Sequence, residues 1–205
     1  MKYLLFPLAA VVSYLVAGLN PAILLSTVIY HRDIRECGSK NPGFTNFKRC
    51  FGMRWAWLVM VVDLLKSALP AVLFGILFSI LWGDWQLGVS FACIFAMIGH
   101  AYPVWYGFRG GKGFLVCLAS MWTLDWRVGL VATLLMIILL LVTKYMSYAT
   151  VVAMLTCPIT LMLASPSATV VVLCALSVCF MAWRHKGNFK RLLEGTETKF
   201  LLKKS

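Results

Sequence analysis

The sequence contains little charge and very few acidic residues. Of its 205 residues, 13% are charged and 61% are hydrophobic, with 19 lysines and arginines against 7 aspartates and glutamates. Soluble domains carry about 25% charged and about 45–50% apolar residues, so this composition excludes a water-soluble globular protein. No internal repeat, low-complexity tract or long polar linker marks a second unit. We therefore expect one integral membrane domain over residues 1–205.

The sequence also lacks the residue patterns of disulfides, metal sites and nucleic-acid binding. The seven cysteines include no C-x-x-C pair, and five of them lie inside apolar runs. That pattern favours small buried hydrophobic side chains over disulfides or a metal site. The net charge of +12 comes from cations at the ends of apolar segments, without the solvated basic face that nucleic-acid binding requires. We expect no metal, no other cofactor and no nucleic-acid partner.

Long apolar runs are abundant. A helix needs about 20 residues to cross the hydrocarbon core of a bilayer. The sequence therefore predicts an all-α, polytopic membrane helix bundle of about seven transmembrane helices. The first run follows Lys2 and is interpreted as a retained span, because no convincing cleavage site of a secretory signal follows it. The candidate spans are 3–25, 55–82, 85–104, 126–145, 147–164 and 167–184, and segment 112–125 suffices only for a short or partly inserted helix.

The distribution of lysine and arginine predicts the orientation, because cytoplasmic loops of membrane proteins are enriched in these residues. With seven passes and the N-terminus outside, 16 of the 19 fall on the cytoplasmic side, leaving Lys2 and Arg127 outside and Lys66 within a span. We expect the N-terminus outside and the C-terminus in the cytoplasm. The polar segments 31–49, 99–113, 144–148 and 184–199 then share the cytoplasmic side, where they can form a single site.

Two opposite charges lie inside the second predicted span. Asp63 and Lys66 are spaced i, i+3, which puts them on one face of a helix. Charges at that depth are costly unless they are paired. The spacing favours a structural ion pair over a role in proton transfer.

The segment GHAYPVWYGFRGGKG at residues 99–113 has the composition of an anion site. Glycines let backbone N–H groups approach a phosphate closely, and Lys112 adds a cation where the next helix begins. A nucleotide-binding P-loop is excluded, because Tyr106 occupies the place of its first glycine and Gly113 that of its hydroxyl residue. On these residues alone, a phosphate site and a tight interfacial turn remain equally supported.

Two other polar segments offer side chains to the same site. Residues 37–46 are rich in turn formers, so Ser39 can present an exposed hydroxyl, and Arg49 supplies a fork suited to bidentate phosphate contact. A plain solvated loop is the alternative. In the tail, His185 and Asn188 are spaced i, i+3, and His185 is either a general base or a structural residue at the end of a span.

Together, three segments resemble the motifs of the bacterial acyl-phosphate:glycerol-3-phosphate acyltransferases, which are membrane-integral enzymes. Residues 185–197, HKGNFKRLLEGTE, fit H-x-x-N-x-x-R-L-x-x-G-x-E, and residues 99–113 fit G-H-x-[FY]-P-V followed by F-x-G-G-K-G. Residues 38–46, GSKNPGFTN, keep most of the first motif but have Lys40 where the family usually has glycine. Asp63 and Lys66 match the family's D-x-x-K, and the H-x-x-x-x-D signature of the commoner glycerol-phosphate acyltransferases is absent.

The resemblance implies a reaction and a set of site residues. A fatty acyl group would move from acyl phosphate to the sn-1 hydroxyl of glycerol 3-phosphate, giving lysophosphatidic acid and inorganic phosphate at the cytoplasmic face of a bacterial inner membrane. The expected partners are these two substrates and membrane lipid, with the protein a monomer. The implied catalytic residues are Ser39, His185 and Asn188, and the implied substrate-binding residues are Asn46, Arg49, Gly110, Gly111, Lys112, Gly113, Ser147 and Glu197.

Individual roles follow from the same resemblance. Ser39 would donate a hydrogen bond to the reacting carbonyl without forming an acyl-enzyme. The proton acceptor would be either His185 or an oxygen of the substrate's own phosphate, and Glu197 would brace the tail. Two other functions stay open: a small transporter for a phosphorylated anion, which the lack of repeats disfavours, and an inactive paralogue of the acyltransferase.

Overall fold

The computed structural model describes residues 2–164 and 167–200. Over these ranges the chain is helical and contains no strand, which confirms the predicted all-α bundle. The α-helices are α1 (Leu5–Gly18), α2 (Pro21–Tyr30), α3 (Phe44–Phe51), α4 (Ala56–Trp82), α5 (Trp85–Ala101), α6 (Phe114–Leu124), α7 (Trp126–Thr143), α8 (Met146–Leu155), α9 (Cys157–Ala164), α10 (Ala168–Arg184) and α11 (Lys186–Leu193).

Most of these helices are membrane spans by length and composition. In the described ranges, five helical segments are long and apolar enough to cross a bilayer: Lys2–Tyr30, Ala56–Trp82, Trp85–Tyr106, Trp126–Thr143 and Met146–Ala164. A sixth qualifies if α10 and α11, which meet at a bend of 51°, are taken as one span.

The remaining apolar segment, predicted at 112–125, is the short helix α6. Its 11 residues cover about 16 Å, well below the ~30 Å of a hydrocarbon core. At its C-terminal end, the Thr123 carbonyl accepts a hydrogen bond from Trp85 Nε1 at 3.1 Å, beside the turn between α4 and α5. At its N-terminal end, Phe114 lines a cavity at the other end of the bundle. The segment therefore runs from the cavity to the far end, but α6 begins below the rim set by the longer helices.

The first and last described residues, Lys2 and Phe200, lie at opposite ends of the bundle. Lys2 Nζ lies over the Trp82 ring, 5.9 Å from its centroid, beside the turn between α4 and α5. At the other end, the Phe200 N–H donates to the Lys144 carbonyl at 2.7 Å, at the turn between α7 and α8. This arrangement agrees with an odd number of passes. Which end faces the cytoplasm stays a prediction.

The first predicted span is broken between α1 and α2. Asn20 separates the two helices in an extended conformation, and its side-chain oxygen accepts a hydrogen bond from the Ile23 N–H at 3.0 Å. This cap satisfies one of the N–H groups that a helix start leaves unpaired, and Pro21 fits the first position because it has no N–H to satisfy. Asn20 Nδ2 also donates to the Pro42 carbonyl at 3.2 Å, which ties the break to the loop before α3.

The predicted ion pair between Asp63 and Lys66 is confirmed. Asp63 Oδ1 and Lys66 Nζ are 2.8 Å apart, and both side chains are buried. Lys66 Nζ also donates to the Leu19 carbonyl at 2.8 Å, where the first span is broken. The pair therefore joins α4 to that break, and each charge has the partner that burial demands.

The prediction that the cysteines are small buried hydrophobic residues is wrong for one pair. Cys37 and Cys50 form a disulfide with a Cα–Cα distance of 6.3 Å. These two cysteines lie in the polar segment 31–49, outside the apolar runs on which the prediction rested, and α3 folds back to bring them together. The other five cysteines are free. Four of them are buried in the bundle, namely Cys93, Cys117, Cys157 and Cys174, whereas Cys179 is exposed and also departs from the prediction.

Candidate active site

A cavity of about 610 Å³ lies at the end of the bundle that holds the tail. Its wall includes residues of all four polar segments that the sequence predicts on one side: Ser39 from the first, Lys112 from the second, Ser147 from the third and His185 from the fourth. The volume lies within the roughly 300–1,000 Å³ of small-molecule sites. The chain therefore brings its polar segments together in one place.

The floor of this cavity lies inside the bundle. Asp63 on α4 and Met136 on α7 line it, and each lies about two turns, or about 10 Å, from the cavity end of its helix. Phe114 and Leu115, the first residues of the short α6, line it between them. Because α6 begins below the rim, the cavity continues below its polar mouth to a floor where apolar side chains lie beside Asp63.

Four helices begin at the cavity. First-turn residues of α3, α6, α8 and α11 line it: Phe44, Phe114, Ser147 and Asn188. The start of a helix carries unpaired N–H groups and the positive end of the helix dipole. These helix starts therefore favour anions in the cavity before any side chain is considered.

Cationic side chains outnumber carboxylates on the cavity wall. Of the two carboxylates there, Asp63 pairs with Lys66, and Glu197 pairs with Arg191 at 2.7 Å. The cations on the wall are Lys40, Arg49, Lys112 and Arg191. The charge that is left over is positive, as an anionic ligand requires.

Asn46 holds the loop that presents Ser39. Its Oδ1 accepts a hydrogen bond from the Ser39 N–H at 2.9 Å, and its Nδ2 donates to the Cys37 carbonyl at 2.9 Å. Gly38 has a φ of +56°, and a Cβ there would lie 2.5 Å from Asn46 Oδ1, so this turn requires glycine. The Ser39 hydroxyl lines the cavity without a hydrogen-bond partner in the described ranges, which leaves it free to donate.

Backbone hydrogen bonds connect the turn at residues 110–111 to the C-terminal end of α5. The Gly110 N–H donates to the Ala101 carbonyl and the Gly111 N–H to the His100 carbonyl, both at 3.1 Å. Arg184 Nη2 donates to the Gly111 carbonyl at 3.1 Å. These N–H groups are used within the protein, and neither glycine lines the cavity. Of the four residues predicted here to hold phosphate, only Lys112 and Gly113 reach it.

Glu197 joins the tail to the rest of the site. Its Oε1 accepts hydrogen bonds from Asn188 Nδ2 at 2.6 Å and Ser147 Oγ at 2.8 Å, and its Oε2 accepts from Arg191 Nε at 2.7 Å. Lys112 Nζ donates to Asn188 Oδ1 and so extends the network to the glycine segment. This geometry is what the bracing role predicted for Glu197 requires.

Burial and hydrogen bonding shift the pKa values of two residues in this network. Burial and the positive charge of Arg191 together lower the pKa of Lys112 to about 8, although the negative charge of Glu197 acts in the other direction. Burial also acts to raise the pKa of Glu197, but the hydrogen bonds from Asn188, Ser147 and Arg191 outweigh it and leave that pKa lowered. At neutral pH the Glu197 carboxylate is ionised. Lys112 is mostly protonated at that pH, because its pKa of about 8 lies about one unit above it.

His185 is held in one tautomer at the junction of α10 and α11. Its Nδ1 lies 2.8 Å from the Met181 carbonyl oxygen. Because a carbonyl only accepts, Nδ1 carries the proton, and Nε2 of the neutral ring is an acceptor. Burial lowers the pKa of His185 to about 4. The ring is therefore neutral at pH 7 and is a weak base.

Several wall residues were missing from the predicted set. Arg191 occupies the arginine of H-x-x-N-x-x-R, a signal that could have identified it. His100 lines the floor, and its Nδ1 lies 3.8 Å from Asp63 Oδ1, a pairing that only the packing of α5 on α4 reveals. Apolar wall residues such as Met60 and Phe200 carry no sequence signal that separates them from other membrane residues.

The chain matches the family model described as glycerol-3-phosphate acyltransferase over residues 7–195. A glycerol-3-phosphate acyltransferase of Vibrio cholerae is 34% identical over 194 residues, covering 91% of this chain and 86% of that protein. The enzyme of the same name from Gluconobacter oxydans is 33% identical over 193 residues, covering 93% and 90%.

Solved structures give the same assignment. PlsY, an integral membrane glycerol 3-phosphate acyltransferase, superimposes in its glycerol 3-phosphate form with a TM-score of 0.85 and 26% identity, over 96% of each chain. Its lysophosphatidic acid form gives a TM-score of 0.81 and 25% identity, over 96% of this chain and 95% of that one. With its helical fold, polar cavity and matching sequence, this chain belongs to the glycerol-3-phosphate acyltransferase family of integral membrane enzymes.

Proposed function

We propose that this protein transfers a fatty acyl group from acyl phosphate to the sn-1 hydroxyl of glycerol 3-phosphate, giving lysophosphatidic acid and inorganic phosphate. The observation that carries the proposal is the cavity itself, which joins an excess of cations at its mouth to apolar side chains inside the bundle. Relatives solved with glycerol 3-phosphate and with lysophosphatidic acid support this acceptor and this product. The distribution of lysine and arginine supports a cytoplasmic site in a bacterial inner membrane.

Glycerol 3-phosphate binds at the side of the cavity formed by Lys112 and Arg191. Both cations are anchored in the Glu197 network, which fixes their position before substrate arrives. His185 lies on the same wall with Nε2 available as an acceptor for a glycerol hydroxyl. A preorganised pair of cations suits a phosphate dianion.

The acyl phosphate binds at the segment that carries Ser39 and Arg49. The side chain of Arg49 has no hydrogen-bond or ion-pair partner in the described ranges, so its fork is free for the donor phosphate. The free Ser39 hydroxyl donates to the acyl carbonyl, where negative charge develops during attack. The fatty chain lies against the apolar side chains of Met60 and Met136.

The reaction needs positioning more than a strong base, because acyl phosphate is an activated mixed anhydride. The glycerol hydroxyl oxygen attacks the acyl carbon, its proton passes to a phosphate oxygen, and the bond between the acyl carbon and the donor phosphate breaks to release inorganic phosphate. A phosphate oxygen, with a pKa of about 6, is a better acceptor at neutral pH than His185. His185 then orients the hydroxyl and does not remove its proton.

The test supplies the purified protein in lipid with acyl phosphate and glycerol 3-phosphate and measures phosphate release together with lysophosphatidic acid. Acyl-CoA and acyl carrier protein replace the donor in parallel reactions. Activity should require acyl phosphate and fall at least ~100-fold in Ser39→Ala, as it does when a transition-state donor is removed. Lys190→Ala is the matched control, because Lys190 is exposed on α11 and lies outside the cavity.

Three results would contradict the proposal. Turnover with acyl-CoA but not acyl phosphate would assign a different donor. No turnover with any donor, together with uptake of glycerol 3-phosphate into vesicles, would favour a transporter, and neither turnover nor uptake would favour an inactive paralogue.

A further inference from the structure

Lys40 adopts a backbone conformation that a lysine reaches only at a cost. Its φ is +58°, in the left-handed region where a side chain crowds the backbone and glycine does not. The turn fixes this conformation, because the Lys40 N–H donates to the Cys37 carbonyl at 2.9 Å. Strained residues that persist at a binding site are candidates for a direct function.

The side chain of Lys40 is unpaired despite nearby carboxylates. Lys40 is exposed, lines the main cavity, and also borders an adjoining depression that contains Asp33 and Glu36. Asp33 instead pairs with Arg35 at 2.7 Å. Across the residues that the structure describes, no ion pair or side-chain hydrogen bond involves Lys40. Its ammonium group is therefore available to an anion in the cavity.

The cations of the cavity fall into two groups. Lys112 and Arg191 are bound into the Glu197 network, whereas Lys40 and Arg49 are unpaired and belong to the polar segment that carries Ser39. Two phosphate groups must be held at once in the proposed reaction, and each group of cations can hold one. Lys40 therefore belongs with the donor phosphate.

We propose that Lys40 binds the phosphate of the acyl donor and stabilises the charge that this phosphate gains as it leaves. The inference rests on the proposed function and adds a specific residue to it. No bond forms to Lys40, since the ammonium group contributes only charge and hydrogen-bond donors. Contact with the donor would offset the backbone strain that glycine at this position would avoid.

The test compares Lys40→Gly, Lys40→Arg and Lys144→Gly in steady-state assays with each substrate varied in turn. Lys144 is the matched control, because it is also a lysine at positive φ (+62°), ends α7, and does not line the cavity. Glycine is well tolerated where a helix ends in this conformation. Thermal unfolding of each variant shows whether it is folded.

We expect Lys40→Gly to raise KM for acyl phosphate about 10-fold, leave KM for glycerol 3-phosphate unchanged, and melt no lower than the wild type. Lys40→Arg should restore KM for the donor, and Lys144→Gly should leave both KM values unchanged. An unchanged donor KM in Lys40→Gly, an equal rise for both substrates, or the same rise in Lys144→Gly would overturn the inference. A wild type without acyl-phosphate-dependent turnover would overturn the proposed function, whereas an active wild type with an unaffected Lys40→Gly overturns this inference alone.

Discussion

Lys112 and Asn188 are 76 positions apart in the sequence, yet Lys112 Nζ donates a hydrogen bond to Asn188 Oδ1 inside the cavity. The contact joins the glycine segment before α6 to the tail helix α11. Through Asn188 it also reaches Glu197, so the charge of Lys112 and the position of the tail are linked. The pH dependence of substrate binding and the effect of losing the Glu197 charge both depend on this link.

Binding of glycerol 3-phosphate should weaken as pH rises through about 8. Burial lowers the pKa of Lys112 to about 8, so its positive charge is present below that pH and is lost above it. Measurements of kcat/KM for glycerol 3-phosphate from pH 6.5 to 9.5 should show this decline. Lys112→Arg should make the profile flat over the same range, because arginine stays protonated. A decline of the same size in Lys112→Arg would assign the titration to another group.

Glu197→Gln should lower kcat/KM about 10- to 100-fold. The substitution removes the charge that Arg191 pairs with and weakens the hydrogen bonds from Asn188 and Ser147. Hydrogen bonds to a charged group contribute about 1.5–3 kcal/mol each, which corresponds to that range. Glu194→Gln is the control, because Glu194 lies on the same tail but outside the cavity, 3.8 Å from exposed Lys190. Equal losses in both variants would contradict a specific bracing role.

Gly111→Ala should abolish activity or prevent folding. A Cβ at this position would lie 2.2 Å from His100 Nε2, so the buried ring and the turn would have to move apart. Gly187→Ala should be tolerated, because a Cβ there meets only Arg191 Nη1 at 3.8 Å and alanine favours the helix. Expression yield in membranes and kcat/KM are the measurements. A fully active Gly111→Ala protein would show that the turn does not pack against His100.

The disulfide between Cys37 and Cys50 should stabilise the loop that carries Ser39. It links residues 13 positions apart. Closing a loop of that size restricts the unfolded chain and so stabilises the folded state by about 3 kcal/mol. A reductant should therefore lower the melting temperature of the wild type but not that of a Cys37→Ser, Cys50→Ser double variant. Cys179→Ser is the control, because that thiol is free and exposed on α10. Identical melting of oxidised and reduced wild type would contradict this role.

The sequence predicts those features that depend on local composition and spacing. The span expected at 55–82 is the helix Ala56–Trp82, and the i, i+3 spacing of Asp63 and Lys66 is enough to identify their ion pair. Convergence of the polar segments followed from counting lysines and arginines. In each case the signal lies within one segment or in the enrichment of lysine and arginine on the cytoplasmic side of membranes.

The features that the sequence does not predict depend on how separate segments meet. Gly110 and Gly111 have the composition of a phosphate loop, but their N–H groups are used by carbonyls of α5, which only the folded turn shows. The disulfide depends in the same way on α3 folding back over the preceding loop. The position of Lys40 between the cavity and the adjoining depression cannot be predicted from its neighbours in the sequence either.

The shortness of α6 has a consequence for the membrane as a whole. Because the cavity floor lies only about two turns below one end of the bundle, the proposed reaction would take place within the monolayer on that side. Its product would then enter that monolayer. Growth of the bilayer would then require a separate protein to move lipid across to the opposite monolayer.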